Sequence, residues 1–467
     1  MHSGDDLPEI RNLTLSYSMS NFVSKLLFVL FLGLPLVSHA SELRLLIDML
    51  HENGMVSEEQ YCRLLAELEQ NQQHSAKEKQ QITEKLELAT QPPEVEVTTK
   101  GGLRVRTTDG QFETRLRGRL MIDAADYDGA PQIADGTNIR RARLAWSGRI
   151  FSDWIYKLDY DFTDGGELKD SYVGYTGFSQ VRLRMGLMEI PLGLQYRSSS
   201  ANSQLIERSL LGAFGGDRYI GLMADTKRQH WSAAAGVFSD DANEQRERND
   251  EGWGVGARVT MAPINYNNKV LHFGLASFYR HLNDQATLRF DEQPEARVAG
   301  FDIVDTGIIP GARTYTRSGV EWAAVRNRWS AQAEYMVTDV RRTVGQDVGF
   351  SGGHIQSGFF LTDDSLNYEN GDFGSPQPNH LVGEGGFGAW ELVARYSTLD
   401  LTDEDIIGGE VDSLTFGLNW YPVPMLRFSA NYINVLNVDG GPNSGLKPRI
   451  FTGTQPMGFL AEILQLP

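Results

Sequence analysis

The sequence predicts an all-β fold: a 16-stranded antiparallel transmembrane β-barrel with a short N-terminal helical, coiled-coil extension. Apolar and polar residues alternate in short runs from about Lys100 onward. Short links and long links mostly alternate between these runs, and tryptophans lie beside several of the short links. A membrane barrel produces all three patterns, because its wall faces lipid outside and water inside and its turns are short at one end.

The first forty residues indicate an export signal that starts at Met19. Lys25 precedes the apolar stretch 26–37, and the small residues Ser38 and Ala40 fit cleavage after Ala40. A membrane anchor is the alternative, although the apolar run is short for a span. We therefore expect a signal peptide over 1–40, a periplasmic helical extension with a proline linker over 41–99, and an outer-membrane barrel over 100–467.

The extension has helical periodicity in two pieces. Gly54 lies where a first helix would end, and Ser57 with Gln60 predicts a capping box at the start of a second. Its apolar positions are Leu43, Leu46, Ile47, Leu50, Tyr61, Leu64, Leu65 and Leu68. Because these are too few for an independent core, the segment is either a coiled coil between copies or a solvated linker helix. Binding to peptidoglycan or periplasmic proteins through 41–90 is a further possibility.

The sixteen predicted strands alternate strictly enough to give each one an outer and an inner face. Trp154, Trp231, Trp329 and Trp420 lie near short links, as in an interfacial aromatic girdle. A secreted β-sandwich or propeller would explain neither this girdle nor the alternation of links. The tract 362–388 is an exception, being a long link on the short-turn side. The strands are 112–122, 139–149, 155–163, 169–176, 181–188, 219–226, 230–238, 252–261, 270–280, 317–325, 328–339, 353–361, 389–399, 411–421, 426–434 and 457–466.

Arginines occur at every second position on several of these strands. An arginine facing lipid at mid-membrane costs about 2–4 kcal/mol, so the arginine face must be the lumen. Guanidinium groups are always charged and bind phosphate or carboxylate oxygens in pairs, so a column of them could pass an anion along. Alternatively they pair with lumenal Asp159, Asp161 and Glu113 and only stiffen the wall. The candidate anion-binding strand residues are Arg115, Arg117, Arg119, Arg141, Arg143, Arg182 and Arg184.

The link 189–218 is too long and too apolar for a solvated tip. We expect it to fold into the barrel as a constriction and to present Arg197 and Arg208 to the pore, with Glu207 as a structural partner of Arg208. Eight large apolar side chains in it need burial: Ile190, Leu192, Leu194, Leu205, Ile206, Leu210, Leu211 and Phe214.

Other classes of function have little support. The net charge of −18 argues against a nucleic-acid partner, and the single Cys62 excludes a disulfide framework. "GFSGG" around Ser351 has nucleophile-elbow spacing, but it lies in Gly-rich polar surroundings and lacks the strand–turn–helix context. "DLTDEDIIGGEVD" is more typical of a solvated external loop than of a calcium site. We therefore expect no enzyme activity, no metal and no cofactor.

Several segments resemble the phosphate-selective porin O and P family. They include "TKGGLRVRTTDGQFETRLRGRL", "IRRARLAWSGRIFSDWIYKLDYDF", "GAWELVARYSTLDL" and "TFGLNWYPVPMLRFSANY", and the resemblance runs over nearly all of 41–434. It implies a homotrimer of 16-stranded barrels in the bacterial outer membrane that passes phosphate or longer phosphates along an arginine ladder. The family also has lysines near the constriction, whereas here no lysine lies between Lys169 and Lys227.

The sequence thus predicts an outer-membrane porin for inorganic phosphate or other small anions, surrounded by outer-membrane lipid. A general diffusion porin with weak selectivity, an outer-membrane hydrolase and an envelope-tethering structural barrel remain as alternatives.

Overall fold

The computed structural model describes residues 39–90, 94–99, 101–242, 250–266 and 268–459. It divides into an N-terminal unit that ends at Pro92 and a second unit that begins at Pro93. The predicted signal peptide lies almost wholly outside the described residues, so its cleavage stays a prediction.

The N-terminal unit is a pair of helices, α1 (His39–Glu52) and α2 (Glu58–Thr90). The predicted capping box is confirmed: the Ser57 N–H donates to Gln60 Oε1 at 2.9 Å, and the Gln60 N–H donates to Ser57 Oγ at 3.3 Å. The Tyr61 hydroxyl of α2 donates to Asp48 of α1 at 2.7 Å. No helix within the described part of the chain is long and apolar enough to cross a membrane.

The second unit is a closed barrel of sixteen antiparallel strands, as the sequence predicts. The barrel closes where its last strand, β20 (Arg449–Phe459), pairs with its first strand, β3 (Glu113–Asp128). Arg449 lies opposite Asp128 and Phe459 lies opposite Gly118. The strands are β3 (Glu113–Asp128), β4 (Gly136–Ile150), β5 (Trp154–Asp161), β6 (Glu167–Tyr175), β7 (Arg182–Glu189), β8 (Arg218–Lys227), β9 (Trp231–Phe238), β10 (Trp253–Tyr266), β11 (Lys269–His281), β14 (Ala312–Arg326), β15 (Trp329–Arg342), β16 (Val348–Phe360), β17 (Ala389–Asp403), β18 (Ile406–Val423), β19 (Leu426–Asp439) and β20 (Arg449–Phe459).

Four further strands lie outside this set and were not predicted. β1 (Val95–Thr98) and β2 (Leu103–Thr107) form a hairpin, and β2 pairs with the first residues of β3. β12 (Asp291–Glu292) and β13 (Val304–Asp305) form a small sheet within the 282–311 link. The hairpin pairs with residues 113–116 of β3, next to the stretch 118–128 that pairs with β20.

Alternation holds along the barrel wall. In β10, Gly254, Gly256, Arg258 and Thr260 are buried inside while the residues between them are exposed. Several predicted strand boundaries are wrong by four to eight residues; β3, β10 and β19, for example, each end five or six residues beyond the predicted position. β20 begins eight residues before the predicted 457, and residues 460–467 lie outside the described part. β17 and β18 continue through most of the "DLTDEDIIGGEVD" segment, which leaves only a two-residue turn where an external loop was expected.

Two long links fold back into the barrel. The infolded loop (residues 190–217) joins β7 to β8 and holds a short helix, α3 (Leu194–Arg197), and a 3-10 helix (Leu210–Phe214). The turn-end loop (residues 361–388) joins β16 to β17 at the short-turn end. The two loops meet inside: Phe373 donates its N–H to Ser198 Oγ at 2.9 Å, and Asn202 donates to the Phe373 carbonyl at 3.0 Å.

Candidate functional site

The infolded loop is fixed by polar groups on the inner faces of strands β15 and β18. The N–H groups of Leu194 and Gln195 each donate to Glu334 at 2.8 Å. Gln204 donates to Ser330 at 3.0 Å, and its backbone carbonyl accepts from Asn419 at 2.6 Å. Because these acceptors and donors belong to β15, β18 and the loop itself, the loop crosses the lumen and stays there.

A buried arginine joins the loop to a second link. Arg395, only 1% exposed, forms an ion pair with Glu295 of the 282–311 link at 2.6 Å. It also donates to the carbonyls of Glu207 and Arg208, at 3.1 and 3.2 Å.

All eight large apolar side chains of the infolded loop are buried, as the sequence predicts. Each buried side chain of this kind contributes about 1.5–3 kcal/mol to stability.

Glu207 anchors the loop to the opposite wall. A register shift in β3–β4 between Met121 and Ile122 turns both Arg140 and Arg141 inward, which strict alternation would not do. Arg140 donates to Glu207, and Arg141 lies 3.9 Å from the same carboxylate. Burial raises the pKa of this loop carboxyl, but the neighbouring arginines outweigh burial and hold it at about 2. Glu207 therefore pairs with β4 and not with Arg208, its expected partner.

Between the infolded loop and the wall β3–β8 lies a chamber of about 360 Å³, here called the arginine chamber. Eight cationic side chains and three carboxylates line it, which leaves an excess of five positive charges. The cationic residues are Arg117, Arg119, Arg143, Lys157, Arg184, Arg197, Arg208 and Arg218, and the acidic residues are Asp159, Asp170 and Glu189.

Five of the eight cations have carboxylate partners. The carboxylates belong either to the chamber or to the neighbouring wall, so these charges are partly neutralised and hold the wall in shape. The pairs are Arg143–Asp161 (2.6 Å), Lys157–Asp170 (2.9 Å), Arg184–Asp225 (2.7 Å), Arg218–Asp170 (3.1 Å) and Arg197–Glu189 (3.9 Å).

Arg117, Arg119 and Arg208 differ, because among the described residues none of them has an ion-pair partner. Arg119 donates to the hydroxyls of Ser200 and Ser199 at 2.9 and 3.0 Å. Arg208 donates to two backbone carbonyls of its own loop and lies over the Tyr196 ring, 4.5 Å from its centroid. Neutral acceptors orient the guanidinium groups of Arg119 and Arg208 without cancelling their charge.

A second cavity of about 380 Å³, here called the vestibule, lies next to the chamber at the short-turn end. Arg117, Gly118, Arg119 and Ser199 line both cavities, so they form the junction between them. The turn-end loop supplies one side of the vestibule with Asn367, Glu369, Gly374, Ser375 and Gln377. An ion that passes from chamber to vestibule must therefore pass Arg117 and Arg119.

Six of the nine predicted binding residues lie on the chamber: Arg117, Arg119, Arg143, Arg184, Arg197 and Arg208. The other three do not. Arg115 donates twice to the Gly101 carbonyl, at 2.7 and 3.0 Å, and so fastens the β1–β2 hairpin. Arg141 is held at Glu207, and Arg182 is paired with Asp225 at 2.8 Å.

Four contributors to this site were not among the predicted binding residues. Lys157 on β5 supplies a lysine that the infolded loop lacks. Arg218 is the first residue of β8, immediately after the infolded loop. Ser199 and Ser200 belong to a run of three serines, which was the available signal for a hydrogen-bonding segment beside Arg197.

Two features bear on the enzymatic and metal alternatives. Ser351 lies within strand β16, where the strand–turn–helix geometry of a nucleophile elbow is absent. Within the ranges that the structure describes, no group of three or more His, Cys, Asp or Glu side chains could hold a metal ion.

Comparison with known proteins gave three kinds of match. The family model "Phosphate-selective porin O and P" matches residues 114–451. Porin O of Pseudomonas aeruginosa is 27% identical over 74% of this chain and 88% of its own length. An uncharacterized protein of Caulobacter vibrioides is 28% identical over 72% of this chain and 71% of its own length.

Among solved structures, the trimer form of OmpT, an outer membrane protein of Vibrio cholerae, superposes with a TM-score of 0.50. The match covers 74% of this chain and 99% of that chain at 10% identity. At this identity the likeness shows the fold alone.

Proposed function

Because the chain belongs to the phosphate-selective porin O and P family, we propose that its barrel passes small anions, above all inorganic phosphate or phosphorylated solutes, through the arginine chamber. It is a porin of the bacterial outer membrane. Family and fold are those of a channel, and the route has no need of covalent chemistry.

One observation carries the proposal: three arginines without carboxylate partners among the described residues line the chamber, and two of them also line the vestibule. A phosphate that leaves bulk water needs replacement contacts, and guanidinium forks match its oxygens in pairs. Conduction also needs each contact to be weak enough for release. The carboxylates that pair with Arg143 and Arg184 favour release, because they compete with the passing anion for the guanidinium groups.

A general diffusion porin with weak selectivity is the second candidate. The five ion pairs support it, since each one removes much of an arginine's attraction for a passing ion. The two candidates differ in whether phosphate stays in the chamber long enough to obstruct chloride.

We expect inorganic phosphate to block the chloride current of single channels in planar bilayers. Half-block at roughly 1 mM corresponds to about 4.1 kcal/mol of binding, strong enough to detect and weak enough to conduct. Nitrate added to the same ionic strength is the control, because it offers one charge and no tetrahedral oxygens. Equal effects of the two salts would favour the general diffusion porin.

A homotrimer is the second part of the proposal, and strand length supports it. Strands β5 to β9 have only eight to ten residues, whereas β14 to β19 have thirteen to eighteen. A strand needs about 9–11 residues to cross a bilayer at the usual tilt. The side of the barrel formed by β5 to β9 is therefore poorly matched in height to the lipid bilayer. It is the side best covered by another copy.

Substitution of an outward residue on each wall tests the interface. We expect Val173→Trp on β6 to release monomers, because a large ring would separate closely packed copies. Leu392→Trp on β17 is the matched control, since lipid accommodates the ring there. Both residues are about half exposed, at 53% and 45%. Native mass spectrometry reads the oligomer, and loss of trimer in Leu392→Trp alone would place the interface elsewhere.

The helical extension fits the same assembly. Leu43, Leu45, Leu46 and Met49 of α1 are all more than 45% exposed, so the unit has apolar surface left to cover. A coiled coil between copies would cover it. Attachment to peptidoglycan or periplasmic proteins through 41–90 remains the tethering alternative.

A further inference from the structure

A second, narrower passage leaves the arginine chamber along β7–β10. Arg184 and Arg197 line the chamber and also a neck of about 20 Å³. The neck adjoins a cavity of about 230 Å³ beside the short turn 176–181 and the last residues of β8, and the two share Arg182, Asp225, Thr226 and Lys227. The chamber therefore has two routes to the short-turn end, and this one is nearly closed.

The side chain that narrows the neck comes from the turn-end loop. The carboxylate of Asp372 forms an ion pair with the Lys227 ammonium group, and its other oxygen lies 3.6 Å from Arg258 Nη1. Within the described ranges, Asp372 is the one ion-pair partner of Lys227. Arg258 has a second partner in Glu321, which it meets in a two-point contact at 2.7 Å for each bond.

Asp372 is not needed to hold its own loop in place. Arg258 donates to the Gly371 carbonyl at 2.8 Å, and Asn265 donates to Asn370 at 3.2 Å. On the other side of Asp372, the Phe373 backbone is bonded to the infolded loop. Neighbours before and after Asp372 thus fix the backbone by contacts that do not involve its carboxylate.

We propose that Lys227 and Arg258 form a second anion site, for small oxyanions such as phosphate, which the carboxylate of Asp372 occupies in the resting channel. The inference rests on the proposed function, since it needs anions in the chamber. A carboxylate offers an ammonium and a guanidinium group the same kind of acceptor as a phosphate. Displacement of Asp372 by a permeating anion would open the second route.

The charges around the neck support exchange rather than a permanent seal. Lys227 is 40% exposed at its side chain and Asp372 is 16% exposed, so water reaches the pair and weakens it. Arg182 and Arg184 share the single carboxylate of Asp225, so one positive charge remains to attract an anion to the neck, while the carboxylate competes with the anion for both guanidinium groups. Once Asp372 moves aside, Lys227 has no ion-pair partner left among the described residues. An anion that arrives from the chamber can then bind its ammonium group.

The experiment is phosphate block of the chloride current in Asp372→Asn. We expect half-block at a phosphate concentration about tenfold lower than in the wild type, equivalent to about 1.4 kcal/mol, because the internal competitor is gone. Chloride conductance before phosphate is added should also rise, since the second route is open. Asp363→Asn is the matched control: it removes the same charge from an exposed position of the same loop that lines none of these cavities, and we expect wild-type values.

A second substitution locates the site. Adding Lys227→Gln to Asp372→Asn should return half-block to the wild-type concentration, whereas a retained gain would remove Lys227 from the proposal. Equal values for Asp372→Asn and Asp363→Asn would overturn it altogether. Should Asp372→Asn fail to form a heat-stable barrel, Asp372→Ser takes its place. A wild-type channel that phosphate does not block contradicts the proposed function itself, whereas wild-type block without the Asp372→Asn gain contradicts only the second site.

Discussion

Replacing Arg117 and Arg119 together by glutamate should reverse the sign of the zero-current potential in a salt gradient. Three cations and one carboxylate line the vestibule, so the double substitution changes an excess of two positive charges there into an excess of two negative ones. Screening limits electrostatic influence to about 8 Å at physiological salt. The chain's overall charge of −18 therefore matters less to a passing ion than these two side chains do.

Two outward arginines provide the control for this reversal. Arg326 and Arg341 lie at opposite ends of β14 and β15, are exposed, and line neither cavity. Replacing both by glutamate changes the net charge equally, and we expect the potential to keep its wild-type sign. Identical behaviour of the two double variants would mean that the lumenal arginines only support the wall. Arg117→Glu alone should give a partial shift, because Arg119 keeps its serine contacts.

Deleting residues 196–204 should raise single-channel conductance severalfold. This segment carries Arg197, the serines that receive Arg119, and Gln204, while all eight apolar anchors of the infolded loop lie outside it. A glycine link would join Gln195 to Leu205, and Gln195 keeps its bonds to Glu334 and Ser209 on either side of the cut. The remaining apolar side chains should keep the rest of the loop packed against the wall.

A deletion of 441–445 in the β19–β20 link is the control for this measurement. That link lines neither the chamber nor the vestibule, so its removal should leave conductance close to the wild-type value. Unchanged conductance in a folded trimer that lacks 196–204 would show that the infolded loop does not limit the pore.

The alternation of side chains was enough to predict the barrel and the direction of most arginines. Period-two patterning fixes which face each residue occupies, provided that the strand is regular. Arg140 was missed because the bulge opposite Met121 places two successive residues inside, and a bulge leaves no clear mark in the sequence. The β1–β2 hairpin was missed because both strands are short, and their stability comes from pairing with β3.

The chemistry of the site was less predictable than its location. Strand register decides which arginines have a carboxylate partner. Asp225 lies more than forty residues along the chain from Arg182 and Arg184, but the pairing of β7 with β8 places it beside both. The fold of the turn-end loop depends on contacts with the infolded loop, since neither has the periodicity of a strand. The sequence predicted seven strand arginines and two loop arginines as anion-binding, whereas four of these nine, Arg115, Arg117, Arg119 and Arg208, have no ion-pair partner in the described structure, and only the last three line the chamber.

The zero-current potential of the wild-type channel, measured in a planar bilayer across a steep potassium chloride gradient, tests the central claim most directly. The excess of positive charge in the arginine chamber predicts a potential of the sign that chloride produces, with chloride more permeant than potassium. A potential near zero, or one of the sign that potassium produces, would contradict the assignment of an anion channel.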